Sequence, residues 1–203
     1  GYLQMLRNND CFKAHRNQFD LMIEELDRAN DIIKEFLTLA RNKPVDKRVQ
    51  KLNQIIAQMH PLMCADAVKD NKAVNIILNE IADLHLDEKE IRQLLLNLVR
   101  NGLEAMESGG RLSIETYQDK NEVVMRVRDS GSGISKEILD KIGMPFFTTK
   151  PQGTGLGLAT CYSIASRHQA RINIDSDASG TAVCVRFQVP EVKSKQELKA
   201  VAQ

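Results

Sequence analysis

Between Phe19 and Ala40 the apolar residues recur in alternating steps of three and four: Phe19, Met22, Leu26, Ala29, Ile33, Phe36 and Ala40. That spacing predicts a long helix with one apolar seam, widened by Ile23 and Leu37. Glu24, Glu25, Asp27, Arg28, Asp31 and Lys34 fall mostly outside the seam. A lone helix cannot bury such a seam, so it calls for a partner helix, a second copy of the chain, or both; a dimeric four-helix bundle meets that need. Packing onto the chain's own globular part is the alternative. Upstream, Gly1–Leu6 reads as the end of a helix, and Asn8-Asn-Asp10 as a turn. Arg41-Asn-Lys-Pro44 is expected to stop the long helix, because the residue before proline disfavours helical angles. These signals divide the chain into a helical hairpin (1–43), a second domain (44–190) and a loose charged tail (191–203).

The second domain mixes two periodicities. Gln54–Ala67 reads as a helix interrupted near Pro61, and Ala73–Leu78 as a strand. Glu88–Glu107 is a helix whose apolar arc covers about half its circumference, which implies deep burial against a sheet. Period-two alternation marks strands at Arg111–Tyr117, Glu122–Asp129 and Thr181–Val189, with a shorter one at Arg171–Asp175. The expected class is α+β: an α/β sandwich with helices on one face of a mixed sheet, preceded by the helical hairpin.

Composition narrows the classes. The chain has 203 residues, a net charge of +1 and 27% charged residues, so no field of one sign favours nucleic acid as a partner. No apolar run is long enough to span a bilayer, so no membrane contact by this chain is expected. Aromatic residues make up 4%, which leaves the packing to aliphatics. Cys11, Cys64, Cys161 and Cys184 are scattered and form no Cys-x-x-Cys pair, as expected of ordinary thiols in a reducing cytoplasm.

The candidate chemistry lies in four segments: Asn97-Leu-Val-Arg-Asn101, Asp129-Ser-Gly-Ser-Gly133, Pro145-Phe-Phe-Thr-Thr-Lys150 and Gly153-Thr-Gly-Leu-Gly157. Asn97 and Asn101 are one helical turn apart near the edge of the apolar arc, and amide oxygens are hard ligands suited to Mg²⁺. Asp129 has the parity of Val123, Met125 and Val127, so it ends the buried face of its strand and needs a donor, such as an adenine amine. Gly131 and Gly133 let a flat base approach the backbone. Thr181 shares the inward parity of Val183, Val185 and Phe187. Gly153–Gly157 leads into a helix and presents free N–H groups suited to phosphates, yet it is neither a Walker A loop nor a dinucleotide fingerprint. Lys150 can reach a terminal phosphate as a point charge, and at least one of Phe146 and Phe147 anchors its loop in the core.

In order and spacing the four segments resemble the N, G1, F and G2 boxes of bacterial sensor histidine kinases, within the wider group of Hsp90, gyrase B and MutL. The resemblance implies a Bergerat-type ATP-binding fold with a mobile lid at roughly Ile134–Thr154. It implies that Asp129 contacts adenine, that Asn101 ligates Mg²⁺, and that Asn97 assists near the phosphates. The Gly153–Gly157 backbone, with Thr154 and Gly155, would hold the phosphates. Asn97 and Lys150 would then be the catalytic pair, and Ile134, Phe146, Thr148, Thr149, Leu156, Leu158 and Thr181 would complete the nucleotide site. The helix Phe19–Ala40 resembles the second helix of the dimerisation and histidine-phosphotransfer domain, and Glu25-Leu-Asp-Arg-Ala-Asn30 is similar to sporulation-type kinases. The implied partners are a second copy through Phe19–Ala40, a response regulator, and regulatory proteins on the bundle. The implied location is the cytoplasm.

The pattern departs from that family in two places, and a third position separates it from the wider group. No His-Glu-x-x-Arg-x-Pro motif is present, so the phosphoacceptor is expected upstream of Gly1; His15, His60, His85 and His168 lack its context. Glu104 stands where many such kinases carry a basic residue, and as an acid it would repel phosphates, leaving Lys150 as the main cation. Position 97 is Asn where the ATP-hydrolysing relatives carry a Glu base, and an amide cannot take a proton. A histidine phosphotransferase core is therefore expected, with two alternatives: a nucleotide-binding dimerisation module without transfer, and an ATPase of the Hsp90 or MutL kind.

Overall fold

The apolar seam forms the helix it predicts. In this computed structural model residues 1–40, 45–150 and 153–190 are described. Helix α1 (Tyr2–Asn8) and a 3-10 turn (Asp10–His15) lead into α2 (Arg16–Ala40). α1 folds back on α2, held by an ion pair between Arg7 and Asp20 at 3.1 Å and an edge-to-face contact of Phe12 on Phe19. α2 also touches the globular part through Phe36, whose ring stacks on Phe146 with centroids 6.3 Å apart. Much of the seam stays uncovered, for Met22, Leu26, Ile33 and Leu37 are each more than half exposed. The expected boundary at Arg41–Pro44 and the expected tail 191–203 lie outside the described residues.

Two short strands, β1 (Arg48–Gln50) and β3 (Leu84–Leu86), pair antiparallel; three residues each are too few to show an alternation in the sequence. Between them, α3 (Leu52–Lys69) is one continuous helix, contrary to the interruption expected near Pro61. Pro61 lies on the exposed side, where the hydrogen bond it removes faces solvent rather than the core, while Leu52, Ile55, Ile56, Met59, Met63 and Ala67 hold the other side in the core.

The main sheet is built from β2 (Ala73–Leu78), β4 (Arg111–Asp119), β5 (Glu122–Arg128), β6 (Arg171–Asp177) and β7 (Gly180–Gln188), in the order β2-β4-β5-β7-β6. Only β2–β4 is parallel, and the crossover between these strands carries α4 (Glu88–Ala105). α4 starts cleanly: the Asp87 carboxylate accepts from the N–H groups of Lys89 and Glu90, and Glu88 and Glu90 complement the helix dipole. With α3 and α6 (Gly157–Arg167) it covers one face of the sheet. Ile91, Leu94, Leu95 and Leu98 meet Leu112, Ile114, Met125 and Phe187 there, all buried. The opposite face carries charge: Arg126 pairs with Glu115 and lies over the Tyr117 ring, and Arg171 and Arg186 both reach Glu122. This one-sided packing leaves the ends of β5 and β7, beside α4, as the natural floor of a site. A short helix α5 (Lys136–Leu139) lies in the segment that follows β5.

Candidate functional site

The inward parity of β5 runs through Val123, Met125 and Val127 to Asp129, which is 7% exposed. The chain holds this carboxylate by one oxygen. Oδ1 accepts the N–H groups of Gly131 at 2.8 Å and Thr181 at 3.2 Å, while the Asp129 N–H donates to the Thr181 carbonyl at 3.0 Å. The Thr181 hydroxyl lies 2.8 Å from that of Ser176, which accepts the Ile134 N–H at 2.8 Å. Oδ2 of Asp129 takes no hydrogen bond among the described residues. A carboxylate oxygen at such depth calls for a donor from elsewhere.

α4 lies close above this carboxylate because position 102 has no side chain. A Cβ on Gly102 would sit 2.6 Å from Leu112 Cδ1 and 3.3 Å from Asp129 Cβ. One face of the helix then brings Asn97 and Asn101 to the same space. The Asn97 amide Nδ2 donates to the Gly157 carbonyl at 3.1 Å, while the Asn101 side chain has no hydrogen-bond partner among the described residues. Behind Asn97, burial pushes the Cys161 thiol up to about 12, against an opposing hydrogen bond from Asn97, so the thiol stays neutral and does not compete as a charge.

The glycine-rich segment is fitted to the Phe-Phe loop by backbone contact. Gly155 adopts φ +69°, and a Cβ there would fall 2.4 Å from the Phe146 carbonyl carbon; the Phe146 N–H donates to the Gly155 carbonyl at 3.0 Å. This joins the loop bearing Lys150 to the start of α6. Lys150 Nζ lies 2.6 Å from Glu104 Oε2, and Arg100 Nε lies 3.0 Å from Glu104 Oε1. Glu104 is thus neutralised by two cations rather than left to repel an anion.

These elements enclose one cavity of about 650 Å³, within the range that takes small-molecule ligands. Every residue expected at the site lines it except Gly131, Phe146 and Leu156. Gly131 spends its N–H on Asp129, Leu156 is fully buried beneath the loop, and the Phe146 ring turns outward to stack on Phe36. Phe147 occupies the wall instead. Sequence reasoning also passed over Arg100 and the apolar Ile138, Ile142 and Ile174. Helical spacing held the signal for Arg100, since 97, 100, 101 and 104 fall within about 100° of arc. Ile138 and Ile142 carry none, because the segment after β5 has no regular period, while Ile174 lies on the β6 strand that the alternation already marked.

Among the described residues no group of three or more His, Cys, Asp or Glu side chains could hold a metal ion. The donor chemistry suits a cation that brings most of its own oxygen ligands: Asn101 lines the cavity with its side chain unpaired among the described residues, and Mg²⁺ takes one or two protein oxygens alongside waters and phosphates.

Comparison with known proteins agrees with this geometry. The chain is 32% identical over 191 residues to sporulation kinase C of Bacillus subtilis, a match covering 93% of this chain and 44% of that protein. The chain therefore spans less than half the length of that curated relative. Among solved structures it is similar to the catalytic domain of histidine kinase ThkA (TM-score 0.65, 30% identity, 70% of this chain and 95% of that one). It is also similar to ThkA in complex with the response regulator TrrA (TM-score 0.72, 26% identity, 95% of this chain and 57% of that one). Residues 86–192, just over half of the sequence and the part that holds the whole cavity floor, match one family description. The chain belongs to the family of histidine kinase-, DNA gyrase B- and HSP90-like ATPases.

Proposed function

We propose that the chain is the ATP-binding and dimerising core of a sensor histidine kinase, which passes the terminal phosphoryl group of Mg-ATP to a histidine and from there to an aspartate of a response regulator. The observation that carries the reading is Asp129: a buried carboxylate, fixed by one oxygen and open by the other, at the floor of a cavity whose rim carries Arg100, Lys150 and the glycine-rich segment. The open oxygen accepts the amine of an adenine ring, and Thr181 and Gly133 lie on the same wall. At the other end Lys150 and the backbone of Gly153–Gly157 hold the phosphates. Asn101 would hold the Mg²⁺, which neutralises phosphate charge when bound.

Asn97 has no proton-accepting group and its amide is committed to Gly157, which favours transfer to an already competent imidazole over activation of water. Catalysis by this chain then rests on orientation and charge neutralisation. None of His15, His60, His85 and His168 carries the acceptor's sequence context. His168 is fully buried, so it is no acceptor either. The division into a hairpin (1–43), an ATP-binding domain (44–190) and a tail (191–203), and dimerisation through Phe19–Ala40 in the cytoplasm, belong to the same proposal. The similar ThkA–TrrA complex supports a response regulator as partner.

Titration calorimetry with Mg-ATP tests the base contact. Asp129→Asn keeps an acceptor for Gly131 and Thr181 but gives up the anion, so the fold should persist and affinity should fall at least about tenfold. Unchanged affinity would refute the assignment. Transfer is tested by mixing the chain, Mg-ATP labelled on the terminal phosphate, and a bundle domain that contains the acceptor histidine. Acid-labile, alkali-stable label on that domain is the expected product, and steady phosphate release without it would point to an ATPase.

A further inference from the structure

Three side chains of alternating charge stand together on the rim of the cavity: Arg100, Glu104 and Lys150. Each oxygen of the Glu104 carboxylate takes one cation, Arg100 Nε at 3.0 Å and Lys150 Nζ at 2.6 Å. The three come from two elements. Arg100 and Glu104 are one turn apart on α4, and Lys150 ends the loop that runs into the glycine-rich segment. All three line the cavity, and together they carry one excess positive charge.

The pairs are exposed, with side-chain accessibilities of 79% for Arg100, 42% for Glu104 and 38% for Lys150. Exposed pairs of this kind contribute little stability and exchange partners readily. A polyphosphate offers both cations a stronger partner, because it carries several charges and matches the planar fork of an arginine. Arg100 also sits one helical turn beyond Asn97, facing the same space, so it needs a rotamer change rather than a backbone movement to meet an anion there.

Resting on the nucleotide reading above, we propose that Arg100 is a further phosphate-binding residue, and that Glu104 is the counter-ion it shares with Lys150 until a triphosphate displaces it. Glu104 holds the two cations side by side while the site is empty of anion and competes with the nucleotide for them afterwards. The cluster reads the number of phosphates: a triphosphate engages both cations, whereas a diphosphate leaves at least one of them on Glu104. The inverted charge at position 104 thus becomes a device for telling substrate from product.

Calorimetric titration of Mg-ATP and Mg-ADP into the wild type, Arg100→Gln and Glu104→Gln tests this at low and high salt. Both substituted positions are exposed, so thermal unfolding should stay close to wild type and serves as the control. Arg100→Gln should weaken Mg-ATP by about tenfold and Mg-ADP by about twofold, as expected for loss of one bidentate charge-assisted contact. Glu104→Gln should tighten Mg-ATP by about threefold, an effect that shrinks in high salt because the competition is between screened charges. If the wild type binds Mg-ATP and Arg100→Gln binds it equally well, the cluster is only a surface ion network, while the nucleotide reading stands. Weaker Mg-ATP binding by Glu104→Gln would equally overturn the competing role. If the wild type binds neither nucleotide, the site assignment fails and this inference fails with it.

Discussion

The Asn97 amide donates to the carbonyl oxygen of Gly157 at 3.1 Å, tying the middle of α4 to the first residue of α6. These helices face each other across the end of the cavity that Lys150 and Gly153 line, so one side chain links the two walls of that end. Asn97→Asp replaces the donor with an acceptor pointed at a carbonyl and adds a charge near the phosphates. It should lower stability by about 1–3 kcal/mol, read by urea denaturation, and weaken Mg-ATP more than a change in stability explains.

Gly102 sets the distance at the opposite end. Gly102→Ala would drive a methyl group into Leu112 and against Asp129, with little room for either to retreat. Overpacking of this kind costs about 1–3 kcal/mol. Nucleotide affinity should fall together with thermal stability. An alanine variant with full affinity would mean that the base end does not depend on this approach.

His168 provides a pH dependence. Its side chain is fully buried; Nδ1 lies 2.9 Å from the Ile164 carbonyl, and Nε2 accepts the Asp87 N–H at 3.0 Å. Burial holds its pKa below the ordinary imidazole value, outweighing the Ile164 carbonyl, Glu90 and Asp87, which favour the proton, while Lys47 opposes it. Protonation would also abolish the acceptor for Asp87. Because the unfolded chain binds this proton more readily than the folded one, stability should decline as pH falls below about 6.5. His168→Gln offers an acceptor that does not titrate. Its melting temperature should respond less than wild type between pH 7 and pH 5, and identical slopes would discount the histidine.

The apolar residues left open on α2 give a fourth expectation. Leu26 and Ile33 are 59% and 56% exposed and lie on the predicted seam. Placing glutamate at both should convert a dimer to a monomer by light scattering, with little effect on the melting of the domain that holds the cavity. A wild type that is already monomeric at high concentration would remove the bundle from the proposal.

The regular parts of this fold were legible because their burial is one-sided. The parity of Val123, Met125 and Val127 leads to Asp129, and the wide arc of α4 marks its depth, so both were readable without coordinates. Pro61 misled, since a local rule about helix interiors yields when the proline faces solvent and the opposite side is packed. The pairing of β1 with β3 was invisible at three residues each. The pairing of Glu104 was hidden for a related reason. Its sign was plain in the sequence, but its neighbour Lys150 is forty-six positions away, and only the folded chain brings the two together.

The cradle around Asp129 is complete before any ligand arrives, with its Oδ1 and the Thr181 hydroxyl already committed to partners. The cationic rim, by contrast, must rearrange. Inhibitor chemistry should therefore start from small heteroaromatic amines that occupy the prebuilt end and leave the rim untouched. Such compounds would avoid the desolvation of a phosphate mimic, and discrimination against other ATPases would have to be sought in the isoleucines that line the cavity, Ile138, Ile142 and Ile174.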